Sequence, residues 1–252
     1  MIIRASNSIK YNPNFGTNIR SYFIGPNKDE VYTQTQINRP DLDFKEAARL
    51  FLDDFKDCKS VKIYNMACSD GSEAFTLAIH LNEMNPKEAN KFLPIIATDI
   101  DPIILSYAKS NKLNMVSDDL KSWKECNIDY RKYFSLINAS TMFIPRDRIN
   151  INSKTYEISD FLKNSVHFEK KTIKQQVEEI DENEPKIICC RNVLPYLGDD
   201  DEMFNQVYAI YKKMRKGDYL LLGDFDRSFT LVNELKSLGV KEIQHNVFKK
   251  TK

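Results

Sequence analysis

The sequence predicts an α/β fold built on a mostly parallel sheet with helices on both faces, and three observations predict it. Short apolar runs alternate along the chain with segments of helical period. The first of these runs ends in a loop of small residues, 68–72, that leads directly into a helix. The second run ends in an acid, Asp99. Strands that alternate with helices form parallel sheets, and ligands bind at the carboxyl ends of such strands.

Size and composition limit the classes of protein to consider. The 252 residues suit one large domain, or one domain plus a small appendage. Hydrophobic residues make up 42% and charged residues 29%, a balance typical of a globular protein. The formal net charge of +1 gives no reason to expect nucleic acid as a partner. No stretch is apolar enough to cross a bilayer and the N-terminus lacks the apolar core of a signal peptide, so we expect no membrane insertion.

The cysteines and histidines favour neither a disulfide framework nor a metal centre. There are five cysteines, an odd number, and no two of them have the spacing of a zinc-binding pair. Free thiols fit a reducing compartment, so the sequence predicts a cytoplasmic protein. The three histidines, His80, His167 and His245, lie far apart without the spacing of metal ligands. We therefore expect no metal site.

The N-terminal part is predicted to be an arm followed by a helix. Residues 1–40 are polar and rich in asparagine, with little periodicity, which favours an irregular arm. An apolar face predicts a helix over residues 41–57 that begins at Asp41. The members of this face are Phe44, Ala47, Ala48, Phe51 and Phe55. We assign residues 1–60 to the arm and helix, and residues 61–252 to one larger domain.

The larger domain is predicted to begin with two pairs of strand and helix. Residues 61–66 have the apolar and β-favouring composition of a buried strand. The helix after the loop runs to about Met84, where an Asn-Pro pair stops it. A second strand over 93–98 is followed by a helix over 102–110.

The next region interrupts this rhythm and is predicted to be a small inserted subdomain of about residues 111–165. Residues 111–140 have a polar, helical pattern. Apolar and polar residues alternate over 142–158, with a turn at Asn152-Ser153, which predicts a small hairpin.

After the insertion the rhythm of strands and helices resumes. The predicted elements are strands over 166–168, 186–190 and 219–223, helices over 202–213 and 229–238, and edge strands within 240–249. With the first two pairs, this order predicts a doubly wound sheet covered on both faces.

The loop after the first strand and the acid after the second predict a ligand site. Asp70 and Glu73 stand three apart at the start of the helix, which is the spacing of a capping box. Asp99 follows Gly71 at a separation (roughly 20 residues or more) from which an acid can bind ribose hydroxyls. The alternative is that Asp99 only caps the helix that begins at Pro102. We favour a nucleoside site, because the loop and the acid occur together in this order.

Three stretches resemble the signature stretches of the CheR-type chemoreceptor methyltransferases. They are residues 67–73 (Ala-Cys-Ser-Asp-Gly-Ser-Glu), residues 97–101 (Ala-Thr-Asp-Ile-Asp) and residues 190–196 (Cys-Arg-Asn-Val-Leu-Pro-Tyr). Weaker similarity at 130–134, 166–168, 222–224 and 238–240 extends the resemblance over residues 61–250. The family implies a Rossmann-like class I methyltransferase fold and S-adenosylmethionine (SAM) as the cofactor.

The resemblance also implies roles for individual residues. Glu73 would bind the ammonium group of SAM, Asp99 would bind the ribose hydroxyls, and Thr172 and Ile173 would border the adenine. The full set of implied cofactor-binding residues is Asn18, Ala67, Cys68, Gly71, Glu73, Asp99, Ile100, Thr172, Ile173, Arg191 and Asn192.

Two residues of the third stretch are implied to be catalytic, Arg191 and Tyr196. Tyr196 would face the transferring methyl group, and the guanidinium of Arg191 could hold an acidic substrate by a bidentate contact. Three alternatives stay open. Arg191 pairs with Asp199 or Asp200 on the surface, Asn192 caps the next turn, or Tyr196 is a core aromatic residue.

The sequence departs from the family in two places near its N-terminus. Residues 18–24 stand where the family carries an Asn-x-(Ser/Thr)-x-Phe-(Phe/Tyr)-Arg segment over the cofactor, and Ile24 replaces the arginine. Only 60 residues precede Val61, fewer than the family's N-terminal helical domain has. The predicted hairpin over 142–158 stands where the family has its receptor-tail-binding subdomain.

The expected function is SAM-dependent methylation of a carboxylate, with a protein glutamate side chain, on a chemoreceptor, as the leading acceptor. A carboxylate is already ionised at neutral pH, so the transfer needs no general base. Ile24 motivates two rivals, a methyltransferase for a small molecule or another protein acceptor, and a degenerate cofactor-binding module. A dehydrogenase is disfavoured because a dinucleotide usually needs three glycines in this loop, which has Gly71 alone.

Overall fold

The computed structural model of the chain describes residues 20–23, 32–137 and 154–252. The strands in these ranges are β1 (Arg20–Phe23), β2 (Tyr32–Thr35), β3 (Lys62–Met66), β4 (Ile95–Asp99), β5 (Lys112–Met115), β6 (Phe134–Leu136), β7 (Lys154–Ile158), β8 (Val166–Lys170), β9 (Lys186–Cys190), β10 (Tyr219–Leu221), β11 (Val240–Gln244) and β12 (Val247–Lys250). The helices are α1 (Phe44–Asp54), α2 (Ser72–Met84), α3 (Pro86–Ala89), α4 (Pro102–Ala108), α5 (Ser117–Glu125), α6 (Asp160–Ser165), α7 (Ile173–Glu179), α8 (Asp200–Lys213) and α9 (Phe229–Ser237). Short 3₁₀ turns cover Asn90–Phe92, Tyr130–Lys132, Leu194–Tyr196 and Asp224–Asp226.

Seven of these strands form one sheet in the order β11-β12-β10-β9-β3-β4-β8. β9 pairs in parallel with β3 and β10, and β4 pairs in parallel with β3 and β8. β12 runs antiparallel to both of its neighbours, β10 and β11. The predicted α/β fold with a mostly parallel, doubly wound, Rossmann-like sheet is confirmed.

The direction in which the chain winds through this sheet reverses between β3 and β9. The chain leaves β3 toward β4 and β8, and it then returns to β9 on the other side of β3. Asn65 of β3 pairs with Ala97 of β4 and with Cys189 of β9, so the three strands end side by side. The crevice outside the carboxyl ends of strands at such a reversal is the usual ligand site of open α/β sheets.

Hydrophobic side chains pack on both faces of the sheet. Ile63 joins the cluster that contains residues of α1 and α2, whereas Tyr64 and Met66 join the cluster that contains residues of α7, α8 and α9. Tyr64 and Met66 share a face because successive side chains of a strand point to opposite faces. All five residues of β9 are buried, which explains why this strand is a compact apolar run in the sequence.

The first helix begins at Phe44 and not at Asp41 as predicted. Asp43 caps it, because its side chain accepts a hydrogen bond from the backbone N–H of Glu46 at 2.9 Å. The carboxylate of Asp41 instead binds Arg191 on another element. The predicted apolar face is confirmed by the buried residues Phe44, Ala47, Ala48 and Phe51.

Part of the N-terminal arm has regular structure that the sequence did not predict. β1 and β2 pair with each other in antiparallel register from Arg20 opposite Thr35 to Phe23 opposite Tyr32. The prediction of an irregular arm is therefore wrong for these two strands. Their four residues each are too few for a periodic pattern. Residues 1–19 and 24–31 lie outside the described residues.

The inserted region contains a second, antiparallel sheet in the order β5-β7-β6. Leu113 pairs with Tyr156 and both are buried, so residues 112–115 form a strand where a helix was predicted. Within residues 111–140, α5 confirms the helical prediction over its own length. The predicted turn at Asn152-Ser153 lies outside the described residues, and β7 pairs with β5 and β6.

Three further facts concern membranes, metals and thiols. Within the described ranges, none of the helices combines the length and apolarity that a bilayer crossing requires. The same ranges hold no group of three or more His, Cys, Asp or Glu arranged to bind a metal ion. The five cysteines, Cys58, Cys68, Cys126, Cys189 and Cys190, are free thiols.

Candidate active site

The loop between β3 and α2 has an unusual backbone. Ala67 and Ser69 have φ angles of 53° and 54°, and Gly71 has a φ of 84°, so alternate residues adopt the left-handed region. A non-glycine residue in this region costs on the order of 1–3 kcal/mol, and such strain is found mostly at functional sites. The alternation turns the backbone sharply at the carboxyl end of β3.

Gly71 is required both by its conformation and by its neighbours. A Cβ built on it would lie 2.6 Å from Cζ of Phe168 and 3.1 Å from Cε2 of Phe75. The two rings pack edge to face with centroids 5.8 Å apart. The backbone at this glycine therefore approaches two aromatic rings closely.

The predicted capping box of Asp70 and Glu73 is wrong. Asp70 Oδ1 accepts hydrogen bonds from the backbone N–H and the hydroxyl of Ser72 at 3.0 and 2.5 Å. The cap position of α2 is Gly71, which has no side chain to bond with. Glu73 turns away from the helix end, because Asn65 Nδ2 and Arg191 Nη1 donate to its two carboxylate oxygens at 2.8 and 2.5 Å.

Arg191 is buried between two acids. Its Nη1 donates to Glu73 and its Nη2 donates to Asp41 Oδ1 at 2.5 Å, while the side chain is only 1% exposed. Nε donates to the carbonyl of Leu222 at 3.3 Å, and the guanidinium lies 5.3 Å from the ring centroid of Phe44. Burial alone would lower the pKa of Arg191, but the charges of Glu73 and Asp41 outweigh it and raise the pKa.

This geometry corrects two interpretations of Arg191. Its guanidinium is occupied by Glu73 and Asp41, so it is not placed to grip an acidic substrate. Its ion pairs are also not the surface pairs with Asp199 or Asp200 that formed the alternative.

Asp41 is a site residue that the sequence reasoning missed. Besides Arg191, it accepts a hydrogen bond from Asn192 Nδ2 at 3.0 Å and one from the backbone N–H of Asp224 at 3.3 Å. Burial acts to raise the pKa of Asp41, but the nearby Arg191 and Arg39 hold it below its usual value. Asp41 thus connects the segment before α1 to the ends of β9 and β10.

Asn192 follows β9 with a φ of 57° and bridges two loops. Its Oδ1 accepts a hydrogen bond from the backbone N–H of Phe225 at 3.1 Å, while its Nδ2 donates to Asp41. A Cβ built on Gly223 would lie 2.2 Å from the Asn192 side chain. The alternative that Asn192 caps the next turn is therefore not what the structure shows.

Asp226 is the second missed residue. Its carboxylate accepts hydrogen bonds from four backbone N–H groups, those of Asn192, Val193, Leu194 and Gly223. Burial raises the pKa of this carboxyl, and the four donors act in the opposite direction. Asp226 holds the ends of β9 and β10 together. Its only signal in the sequence is an acid soon after the glycine that ends the strand.

Asp99 ties the ends of β3 and β4 together. It is buried, and its carboxylate accepts from the backbone N–H of Ser69 at 2.8 Å and from that of Asp101 at 3.0 Å. Burial raises the pKa of Asp99 against the effect of these hydrogen bonds. The residue that caps α4 is Asp101, which accepts from Ile103 at 2.8 Å. The alternative that Asp99 only caps this helix is wrong.

The remaining predicted site residues differ in their burial and in their hydrogen bonds. Thr172 caps α7 in a capping box with Gln175. Ile173 is 9% exposed and packs in the core. Tyr196 and Ile100 are exposed, at 61% and 56%, so Tyr196 is not a core aromatic residue. Cys68 is buried, which raises its thiol pKa. Asn18 lies outside the described residues.

Two carboxylates therefore lie at one edge of the sheet. β3 and β4 are parallel neighbours, Asp99 is the last residue of β4, and Glu73 stands in the first turn of α2, the helix that follows β3. Asp99 accepts a hydrogen bond from the N–H of Ser69, in the loop after β3. Glu73 accepts one from the side chain of Asn65, in β3 itself.

The hydrogen-bond acceptors at this edge fit SAM. Asn65 Oδ1 and Ser69 Oγ are buried and have no hydrogen-bond partner in the described part of the chain. Glu73 remains 18% exposed, and a carboxylate can accept about four hydrogen bonds, so both acids keep acceptor capacity. Acceptors of this kind suit a cationic ligand that carries an ammonium group and hydroxyls.

Comparison with known families agrees with this chemistry. Residues 33–135 match the family model described as "CheR methyltransferase, SAM binding domain". The matched range contains Asp41, Glu73 and Asp99. It begins after residues 18–24, the segment in which Ile24 replaces the arginine of the family.

Curated relatives are named as chemotaxis methyltransferases. The chain is 29% identical over 163 residues to chemotaxis protein methyltransferase 2 of Vibrio cholerae, covering 65% of this chain and 50% of that protein. It is 25% identical over 169 residues to the chemotaxis protein methyltransferase of Borreliella burgdorferi, covering 65% and 51%. A probable chemotaxis protein methyltransferase of Rhizobium etli is 31% identical over 98 residues, covering 36% and 37%. The chain spans about half the length, or less, of these curated relatives.

Among solved structures, a TehB-like SAM-dependent methyltransferase from Corynebacterium glutamicum is 15% identical with a TM-score of 0.40, covering 81% of this chain and 86% of that one. The SAM-bound amino pentose methyltransferase CalS10 from Micromonospora echinaspora is 12% identical with a TM-score of 0.38, covering 71% and 48%. Similarity at this level carries no argument about the site. The family match across the cofactor loop and the chemotaxis methyltransferase relatives make the chain similar to the CheR-type family of SAM-dependent methyltransferases.

Proposed function

We propose that the protein transfers the methyl group of SAM to a carboxylate, with a protein glutamate side chain as the acceptor. The observation that carries this proposal is that Glu73, in the first turn of the helix after β3, and Asp99, at the end of β4, lie at the same edge of the sheet beside a strained loop with unpaired polar atoms. The names of the curated relatives support a chemoreceptor as the protein that supplies the glutamate.

The cofactor side of the site divides its tasks between two acids. Glu73, oriented by Arg191 and Asn65, binds the ammonium group, and Asp99 binds the ribose hydroxyls. The exposed Ile100, next to Asp99, offers an apolar surface for the base. SAM supplies an electrophilic methyl group on a sulfonium. The chain's own contribution is alignment of the two reactants in a pocket that excludes water.

The acceptor side needs a cation other than Arg191, and Arg39 is placed to supply it. Arg39 lies in the matched range, with Nε 3.7 Å from Asp41 Oδ1 and its guanidinium 5.9 Å from the ring centroid of Phe225. The 3₁₀ turn that carries Phe225 contacts the one that carries Tyr196. We therefore assign to Arg39 the role of the family arginine that Ile24 replaces at a position outside the match. The exposed Tyr196 borders the acceptor beside it.

A carboxylate acceptor agrees with the burial of His80. An ionised carboxylate attacks the methyl group directly, so no side chain has to remove a proton. His80 could not act as a base at the strand ends, because it is buried and its ring bonds Asn38 Oδ1 and stacks on Phe44.

The inserted region and the compartment are further parts of this proposal. The sheet β5-β7-β6 supports an inserted subdomain of about residues 111–165 within a domain over 61–252, with residues 1–60 as a separate arm and helix. The five free cysteines support a reducing cytoplasm as the place of action.

A methyl-transfer assay tests the proposal directly. The full chain is incubated with methyl-labelled SAM and the cytoplasmic fragment of a chemoreceptor, and the labelled protein is then treated with alkali. A glutamate methyl ester releases volatile labelled methanol, whereas a methylated amine does not. We expect the parent protein to give alkali-labile label, and we expect Glu73→Gln to lose it. The control Glu178→Gln, whose side chain is exposed on α7, should retain it.

Other outcomes of the same assay contradict the proposal in distinct ways. Alkali-stable label would identify another acceptor class, and label confined to a small-molecule fraction of a cell extract would identify a small-molecule methyltransferase. Binding of the demethylated cofactor without transfer to any fraction would identify a degenerate binding module.

A further inference from the structure

A cavity of about 280 Å³ lies against the edge strand of the large sheet. β8 contributes Val166, His167 and Phe168 to its wall, and α6 contributes Leu162 and Lys163. The rest of the wall comes from α2, the end of α4, Asn111 before β5, and the end of β7. This volume is close to the lower end of the range for small-ligand pockets, about 300–1,000 Å³.

The floor of the cavity is apolar. Ala108, Ile158, Leu162 and Val166 line it and are all buried. An aromatic or branched aliphatic group of matching size would lose its water-accessible surface here, which favours binding by about 25 cal/mol for each Å² removed from water.

The rim of the cavity is basic, and among the described residues no acid lines it. Two of its three basic residues have acidic partners outside the wall. Lys163 Nζ lies 3.0 Å from Asp160 and 3.6 Å from Glu157. His167 Nε2 lies 3.0 Å from Glu169. These two residues therefore add little net charge.

Lys109 is the residue that gives the rim its net positive charge. It ends α4, it is exposed, and it makes no ion pair with any residue in the described part of the chain. We propose that this cavity binds a small organic anion with an apolar body, such as an aryl carboxylate, whose ring lies on the apolar floor and whose charge pairs with Lys109.

The cavity shares a wall with the cofactor loop. The rings of Phe75 and Phe168 line the cavity, and the same two rings are the nearest neighbours of a Cβ built on Gly71, at 3.1 and 2.6 Å. A ligand in the cavity limits the movement of these rings away from Gly71. It therefore stabilises the loop conformation and tightens cofactor binding. Because coupling between two sites is reciprocal, the cofactor tightens the anion by the same factor.

Titration calorimetry with naphthalene-2-carboxylate on the full chain tests this inference. The control probe is 2-naphthylmethylamine, which has the same ring system and the opposite charge. The carboxylate is expected to bind at least about 10-fold more tightly than the amine. Equal affinity for the two probes would overturn the assignment, because it would show that Lys109 plays no part.

Two variants and one control locate the binding. Lys109→Glu is expected to weaken the carboxylate about 10-fold or more, and Ala108→Phe to abolish its binding by filling the floor. Lys87→Glu, an equal charge change on the exposed part of α3, should leave it unchanged. Unchanged affinity in Lys109→Glu would overturn the proposal. Because Lys109 is exposed, this variant remains decisive even if Ala108→Phe fails to fold.

The coupling is measured with S-adenosylhomocysteine, the demethylated cofactor. Its Kd is expected to fall about 5-fold when naphthalene-2-carboxylate is saturating, and the Kd of the carboxylate should fall by the same factor when S-adenosylhomocysteine is saturating. Unchanged values in both directions would overturn the proposed coupling. None of these readouts needs methyl transfer, so their failure is distinct from failure of the proposed function.

Discussion

Arg191 and Glu73 are 118 residues apart in the sequence, yet their side chains meet with Nη1 2.5 Å from Oε2. The second acid on the same guanidinium, Asp41, is 150 residues away. The contact orients Glu73, the residue proposed to bind the ammonium group of SAM. It also makes the site dependent on a buried, three-member charge network whose members come from three elements.

Replacing Arg191 with Met should destabilise the protein strongly. The substitution leaves Asp41 and Glu73 together without their shared cation, and removing one partner of a buried ion pair costs about 3–5 kcal/mol. Denaturant unfolding measures this loss. The control is Arg131→Met, which breaks an exposed pair with Asp129 and should change stability little. Equal losses in the two variants would show that the buried network does not hold the fold.

Gly71→Ala and Gly217→Ala separate steric crowding from backbone strain. Both glycines have positive φ angles, 84° and 94°, but a Cβ on Gly217 would have nothing within 4 Å, whereas one on Gly71 meets two rings. Gly217→Ala should therefore cost only the left-handed conformation, about 1–2 kcal/mol. Gly71→Ala should cost clearly more in denaturant unfolding and should weaken cofactor binding. An equal loss in both would contradict the close packing around the loop.

His80 should make stability depend on pH in acid. Burial lowers its pKa to about 4 from the ordinary 6.5. The unfolded chain therefore binds a proton that the folded chain does not, and the contribution is complete above pH 6.5 and is lost as pH falls toward 4. The full loss amounts to about 3 kcal/mol.

The measurement is the free energy of unfolding at several pH values in the parent and in His80→Gln. The difference between the two should shrink by the expected amount between pH 7 and pH 4. His167→Gln, at an exposed position, should reproduce the parent profile. A pH-independent difference for His80→Gln would show that this histidine is not held neutral in the folded state.

Arg39→Ala should impair the acceptor and spare the cofactor. A hydrogen bond to a charged group contributes about 1.5–3 kcal/mol, so the kcat/KM for the acceptor should fall about 10-fold to 100-fold. The Kd of S-adenosylhomocysteine should stay close to that of the parent. Arg49→Ala removes an exposed arginine of α1 and serves as the matched control. A parental kcat/KM in Arg39→Ala would remove Arg39 from the acceptor site.

The sequence alone predicts the parts of the fold that are written in local patterns. β3, β4 and β9 are short apolar runs, and the small residues of the loop stand next to the first of them, so their position at one sheet edge follows from the parallel topology. The exposure of Tyr196 and the exact partners of Asp99 do not follow, because each depends on the packing of several loops.

The contacts that complete the site are between residues distant in the sequence, and local patterns do not contain them. Asp41 looks like a helix cap next to Pro40, and only the fold shows that it reaches Arg191. Asp226 looks like one of several surface acids, and only the fold shows its four backbone donors. The strand β5 was missed for a related reason. Its polar residues do not follow a strand pattern, and only its pairing with β7, which is distant in the sequence, makes it a strand.

The central claim is that Glu73 and Asp99 hold the cofactor at the carboxyl ends of β3 and β4. Titration calorimetry with S-adenosylhomocysteine on the parent, Glu73→Gln, Asp99→Asn and the control Glu178→Gln tests it most directly. The account predicts that each of the first two variants binds at least about 10-fold more weakly than the parent and that the control binds equally well. Parental affinity in both Glu73→Gln and Asp99→Asn would contradict it.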